Sequence, residues 1–278
     1  MTTLGFTKEV FPGGRWLVCR PKDYDVRYVI NPWMNTSIVP DKPLAAHQWN
    51  NLHHHLIRLG AWLEYVDHAS GQPDMVFTAN AGLVRGNDVV LAKFRHPERQ
   101  GEERHFREWF EANGFKVHEV TKGSFEGEGD ALFSGSKLFC GYGFRSDVEA
   151  HEEVAARLQA SDLIPLELKD PRFYHLDTCF CPLNETLALV YPGAFSDSDV
   201  ARLGRSIELI RVPEHDALHF VCNAVVLGKN VVLPAGCADT YSMLKQRGFS
   251  TFPVGLGEFI KAGGAAKCLS LKLEQAGA

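Results

Sequence analysis

The sequence predicts an α/β fold with pseudo-fivefold ββαβ repeats, closed into a five-bladed propeller-like ring. Three observations predict it. A hairpin, a helix and a strand recur in that order along the 278 residues. The period is roughly 45 to 50 residues, in the range of radial and solenoid repeats. The last strand, Cys268 to Leu273, is placed to pair with the first, Trp16 to Cys19, which would close the ends together. An open doubly wound sheet is the competing arrangement. It calls for a phosphate-cradling glycine fingerprint after the first strand, and there is none.

The elements follow in order. After the first strand, Pro21 to Tyr28 and Asn31-Pro32-Trp33 read as a long aromatic loop, of a length that either covers a site or packs on the surface. A helix starts near Pro43 with Leu44, Leu52, Leu56 and Leu59 on one face, and Gly60 ends it. An apolar segment runs from Ala61 to Val66. Met75 to Val84 and Val89 to Phe94 then form a hairpin around Arg85-Gly86-Asn87-Asp88. A helix carrying Phe106, Trp109 and Phe110 ends at Gly114, and Phe115 to Val120 is a strand. The next unit pairs Ala131–Phe133 with Leu138–Cys140, adds a helix from Ser146 to Gln159, and closes with a strand from Leu163 to Leu168. Thr178 to Leu183 and Leu187 to Tyr191 open the following unit; its helix spans Ser198 to Leu203 and stops at Gly204, before a strand from Ile207 to Val212. The last full unit has Ala224 to Leu227, Val231 to Leu233, a helix from Asp239 to Gln246 ended by Gly248, and a strand from Phe249 to Val254. Pro and Gly are scattered without a low-complexity linker, so residues 1–278 read as a single domain.

Composition narrows the function classes. Hydrophobic residues make up 45% and charged residues 23%, ordinary for a soluble globular protein. A net charge of −5 leaves no basic footprint for nucleic acid. The apolar runs are too short to span a bilayer, and Met1 to Glu9 lack the apolar core of a signal peptide. Seven cysteines with no framework spacing suggest neither disulfides nor zinc, and a reducing, cytoplasmic compartment is expected. His53-His54-His55 on a helix point in different directions, so no metal is expected there. Cys179 and Cys181 read as core residues. Oligomeric state stays open, a homo-oligomer included.

The chemistry-bearing residues fall at equivalent places, just before the first hairpin strand of each unit. They are Phe77-Thr78-Ala79-Asn80, then Phe125-Glu126-Gly127-Glu128-Gly129-Asp130, then His175-Leu176-Asp177, then Cys222-Asn223, and finally Cys268 after Gly263-Gly264. Each alone has a plain alternative. Cys268 could be a buried structural cysteine, Glu126 and Asp130 solvated turn residues, and His175 a satisfied histidine at a strand start. A ring brings them to one axis, where a thiol, an imidazole, several carboxylates and an amide form a reactive set. Carboxylates around a thiol suit a planar, forked guanidinium, whose charge also favours the thiolate. His175 is then placed to serve as general acid and base. This is nucleophilic catalysis at an amidino carbon, without a cofactor or a metal.

These motifs resemble the guanidino-group-modifying superfamily of arginine deiminases, dimethylarginine dimethylaminohydrolases, amidinotransferases and arginine dihydrolases. The resemblance covers nearly the whole chain and includes Arg99-Gln100-Gly101-Glu102, Arg145 and Gly263 to Cys268. It implies a five-bladed α/β propeller, Cys268 as nucleophile and His175 as acid and base. It implies that Glu126 and Asp177 hold the guanidinium, and that Arg99 and Arg145 hold an α-carboxylate. Asp130 belongs to the same acidic motif, and Asp25 of the Tyr24-Asp25 loop is a further substrate-contact candidate. Asn80 stands where most relatives carry an aspartate, as in the arginine dihydrolases, which convert arginine to ornithine, ammonia and carbon dioxide. The resemblance therefore implies a cofactor-independent arginine dihydrolase acting on a small guanidino substrate. Dimethylarginine dimethylaminohydrolase is the second reading, then deiminase or amidinotransferase. A non-catalytic binder would be expected to lack the thiol or the histidine, and both are here.

Overall fold

A computed structural model describes residues 11–273; the reading of Met1 to Glu9 lies outside them. Five three-stranded sheets surround a common axis as a five-bladed propeller. In each sheet the middle strand pairs antiparallel with one neighbour and parallel with the other. Gly82–Arg85 lies antiparallel to Asp88–Leu91, which runs parallel to Lys116–His118. Ala131–Ser134, Lys137–Tyr142 and Asp162–Glu167 repeat this, as do Phe180–Pro182, Leu187–Val190 and Glu208–Arg211, then Val225–Leu227, Asn230–Pro234 and Ser250–Val254. The fifth sheet joins the two ends of the chain. Arg15–Cys19 pairs parallel with Trp62–Val66 and antiparallel with Leu271–Lys272, with Leu17 opposite Leu271.

A parallel pair needs a crossover, and each unit supplies a helix for it: Lys42–Arg58, Glu103–Ala112, Val148–Arg157, Asp197–Ser206 and Ala238–Gln246. The first is capped by Asp41, whose carboxylate accepts from Leu44 N at 2.9 Å. The helix at Glu103–Ala112 buries Phe106 and Phe110 against Val84, Val89 and Leu91 of its own sheet. Neighbouring units are stitched by single bridges, Lys93 to Phe125 and Leu168 to Phe195.

Several boundaries differ from the sequence reading. The helix at Lys42–Arg58 buries Ala45, Trp49, Leu52 and Leu56, while Leu44 is exposed. Gly204 does not stop its helix, which continues to Ser206 and ends with Ile207 N on Leu203 O at 2.9 Å. The largest difference lies at the axis. Met75 to Ala81 is no strand but parts of two 3-10 turns, Pro73–Val76 and Thr78–Ala81. Likewise Thr178 ends a 3-10 turn, Leu176–Thr178, and Cys268 lies in a turn before its strand. Buried on every side, these apolar runs carry no periodicity to tell turn from strand. The turns pack backbone to backbone. A Cβ on Gly127 (φ +60°) would stand 2.6 Å from Ala79 O, so the approach and the left-handed backbone both require glycine.

Two histidines pack into the core as neutral groups. His53 Nδ1 donates to Trp49 O at 2.6 Å, and both ring nitrogens of His151 are buried without a partner. Burial pushes each down to about 4. The unfolded chain therefore binds more protons than the folded one between about pH 6.5 and 4, and stability falls as pH falls through that window. Replacing His151 with leucine should remove its share. Urea midpoints at pH 8 and pH 4.5 should show His151→Leu gaining on the parent protein at the lower pH by a few kcal/mol, about 1.4 per pKa unit.

Candidate active site

The turns that open the units converge on one buried cluster. Cys268, His175, Glu126, Asp130, Asp177, Asn80, Arg99 and Arg145 are all nearly inaccessible. Around the thiol, Asn223 Nδ2 donates to Cys268 Sγ at 3.0 Å, and Sγ donates to Asp177 Oδ2 at 3.3 Å. The other Asp177 oxygen, Oδ1, is buried without a partner. Asn223 also fixes the turn: its Oδ1 accepts from Cys268 N at 3.0 Å and Ala265 N at 3.1 Å. The backbone of that turn reaches the next one, with Ala79 N on Cys268 O at 3.1 Å.

Beside it, His175 Nε2 meets Glu126 Oε2 at 2.8 Å, and Arg145 Nη1 donates to the same oxygen at 2.8 Å. Arg145 Nη2 donates to Ile30 O, and its guanidinium lies 4.6 Å from the Tyr174 ring centroid. Asn80 Nδ2 donates to Glu126 O at 3.2 Å, and Asn80 Oδ1 accepts from Arg99 Nη1 at 2.8 Å. Arg99 is itself held by Glu102 and by Asp74 O.

Burial sets the protonation of the group. It pushes the Cys268 thiol well above the usual range, and the Asp177 carboxylate adds to the rise. Burial also raises Asp177, to about 7 against the pull of Lys267. It lowers His175 to about 4, although Glu126 opposes it. Glu126 goes the other way: burial would raise it, but Arg145 and then His175 outweigh that and hold it ionised. The site at rest is a neutral thiol, a neutral imidazole and a paired carboxylate. A cation entering between Asp177 and Cys268 would favour thiolate and carboxylate together.

Three predicted residues are arranged differently from the expectation. Asp25 does not join the cluster; its carboxylate accepts from Val26 N and pairs with Arg27 and Lys42 near the surface. Asp130 does join it, but both oxygens are taken, by Ser146 Oγ at 2.7 Å and Leu176 N at 3.1 Å. Glu126 is the partner of His175 and Arg145 rather than an open cradle. Arg99 and Arg145 are buried and engaged by protein groups, where their residue type alone reads as surface. Sequence reasoning gave no role to Asn223, although its position in the repeat was the signal. It missed Asp74, whose Oδ2 accepts from Tyr28 OH at 2.9 Å and whose Oδ1 is buried without a partner. A cavity of about 90 Å³ reaches Asp177 from the side of Lys267, Glu128, Cys181 and Cys222. Among the described residues no group of three or more His, Cys, Asp or Glu is placed to hold a metal ion, and no helix is long and apolar enough to cross a membrane.

Residues 32–273 match the family described as N,N dimethylarginine dimethylhydrolase, eukaryotic. The chain belongs to that family. It is 47% identical over 272 residues to the bifunctional arginine dihydrolase/ornithine cyclodeaminase ArgZ of Synechocystis sp., covering 94% of this chain and 38% of that protein. The chain thus spans well under half the length of that relative. It is 40% identical over 260 residues to the N(G),N(G)-dimethylarginine dimethylaminohydrolase of Mycobacterium tuberculosis, covering 93% of this chain and 85% of that one. The substrate-bound N-terminal domain of ArgZ, a cysteine-to-serine variant described as an arginine dihydrolase, superposes with a TM-score of 0.91 at 45% identity, over 94% of this chain and 98% of that one. A further crystal structure of that domain, an asparagine-to-serine variant, is covalently bound to a reaction intermediate; it superposes with a TM-score of 0.90 at 45% identity, over 93% of this chain and 97% of that one.

Asn223 ties the thiol, its own turn and, through Nδ2 on Asp177 O at 3.2 Å, the neighbouring turn. Asn223→Ala should leave two buried N–H groups unsatisfied. Chemical denaturation should show a loss of about 2 to 6 kcal/mol, taking about 1 to 3 for each such group.

Proposed function

We propose that this single α/β-propeller domain is a cofactor-independent hydrolase of the guanidinium group of arginine. It works through a covalent Cys268 intermediate and two hydrolytic rounds, giving ornithine, two ammonia and carbon dioxide. The observation that carries the reading is the company of Cys268: a hydrogen-bonded carboxylate at 3.3 Å whose second oxygen is buried and unpartnered. A guanidinium offers the paired N–H donors that such a carboxylate lacks. Asp74 Oδ1, also unpartnered, suits the α-ammonium of an amino acid.

The chemistry follows from these protonation states. Guanidinium binding at Asp177 stabilises the Cys268 thiolate; the thiol proton passes to the neutral His175, and Sγ attacks the guanidinium carbon. His175, oriented by Glu126, gives a proton to the leaving ammonia and then takes one from water. Water adds to the thiouronium adduct and expels Sγ, leaving a ureido product. In the second round Sγ attacks the ureido carbon and ammonia leaves. Hydrolysis of the resulting S-carbamoyl adduct gives a carbamate, which breaks down to ornithine and carbon dioxide.

Asn80 favours the second round. An aspartate there would accept from a guanidinium but repel a ureido oxygen; an amide can donate to that oxygen and retain the product. The 47% identity to ArgZ supports the same reading. Dimethylarginine hydrolysis to citrulline and dimethylamine is the second reading, favoured by the family match and the Mycobacterium relative.

Purified protein incubated separately with arginine and with asymmetric dimethylarginine, with products identified by mass spectrometry, tests this. Ornithine from arginine is expected. Citrulline and dimethylamine from the methylated compound alone would establish the second reading instead, and no product from either would overturn both. Cys268→Ser should lower turnover by about 10³-fold or more. Because the thiol is raised, kcat/KM should climb with pH from 7 towards 9.

A further inference from the structure

An amide has two different ends, so the orientation of Asn80 decides what it offers a ligand. Arginine only donates hydrogen bonds. The Asn80 atom 2.8 Å from Arg99 Nη1 is therefore the oxygen. The second partner, the Glu126 carbonyl at 3.2 Å, only accepts, so it faces the nitrogen. The two contacts agree on one orientation. They also place the nitrogen on the His175 side of the turn: a Cβ on Gly129 would stand 2.3 Å from Asn80 Nδ2 and 3.2 Å from His175 Cγ.

Arg99 has a long side chain with several rotors and cannot hold this arrangement by itself. Glu102 clamps it in a fork, with Nε on Oε1 at 2.9 Å and Nη2 on Oε2 at 2.8 Å. Such a bidentate pair fixes the plane and rotation of the guanidinium as well as its position, so Nη1 is aimed at Asn80. Both partners are buried, Glu102 fully. Its carboxylate hydrogen-bonds neither Cys268, His175 nor Asn80, and the reaction outlined above gives it no task.

We infer that Glu102 is a positioning residue. Through the Arg99 fork it fixes which way round the Asn80 amide stands, and so whether the ureido product is kept for the second hydrolysis. The inference rests on the dihydrolase reading. An amide nitrogen offers no acceptor to a guanidinium, which only donates, but gives a hydrogen bond to a ureido oxygen. Loosening the fork removes the shorter of the two contacts that set the amide and leaves only the Glu126 carbonyl, and an amide that turns puts its oxygen against the ureido oxygen. The first round is spared relative to the second, and citrulline escapes.

The test measures citrulline and ornithine released from arginine over time, with KM, for the parent protein and for Glu102→Gln, which lacks the charge for the fork. The expected result is ornithine from the parent, and from Glu102→Gln a released-citrulline fraction raised by about tenfold or more, roughly what one lost hydrogen bond gives. A raised KM or a lower thermal midpoint with an unchanged citrulline fraction would overturn the inference and leave Glu102 a substrate-affinity or structural residue. If Glu102→Gln does not fold, Glu102→Asp, which keeps the charge but shortens the reach, decides on the same ratio. A parent protein that yields no ornithine would remove the dihydrolase reading, and this inference with it.

Discussion

The axis of this molecule depends on one interaction, the ion pair between Arg145 and Glu126 at 2.8 Å. Glu126 is fully buried, and a carboxylate there without a partner would take up a proton. Arg145 keeps it ionised, and the ionised oxygen in turn receives His175. The neighbours follow from that charge. His175 needs a fixed ring orientation, and Glu126 gives it one. Asn80 uses the Glu126 carbonyl, and Arg99 uses Asn80. Removing Arg145 would leave a buried charge uncompensated, which typically costs about 3 to 5 kcal/mol. The same pair thus supports the stability of the ring centre and the alignment of its histidine.

A second principle of the site is what it leaves open. Most buried polar atoms at the axis have partners, and Asp130, Asn223 and Arg99 are held at both ends by protein groups. Against this background, the unpartnered oxygens of Asp177 and Asp74 are acceptors open to a ligand with N–H donors. Burying a carboxylate oxygen without a hydrogen bond is costly, and a ligand with N–H donors relieves that cost on binding. This explains why a thiol at rest need not be ionised. In the proposed mechanism, the charge that activates it arrives with the substrate.

Much of this was legible in the chain. The recurrence of hairpin, helix and strand gave the ring, because each unit carries its own turn and apolar pattern. The convergence of Asn80, Glu126, His175, Asp177 and Cys268 followed from their equivalent places in the repeat. What each carboxylate touches did not follow. Spacing places Asp130 and Glu126 on one motif, but only packing shows that Ser146 and Leu176 consume the first and that Arg145 claims the second. Asp74 draws no notice in the sequence, and Glu102, though part of the Arg99 motif, gets no role there, for a related reason. A lone acid in a turn or at a helix start reads as solvated, and nothing local says that it is buried. Asp25 differs in the opposite sense: its acidic, aromatic loop reads as a possible cover and reaches Asp74 and Arg145 through Tyr28 and Ile30, while the Asp25 carboxylate itself pairs with Arg27 and Lys42.

The central claim is a covalent intermediate on Cys268, among seven cysteines that are all buried. Its most direct test is acid quench within milliseconds to seconds of mixing with arginine, followed by intact mass and peptide mapping. The account predicts an amidino or carbamoyl adduct on the peptide carrying Cys268. Turnover of arginine with no adduct, or with the adduct on another cysteine, would contradict it.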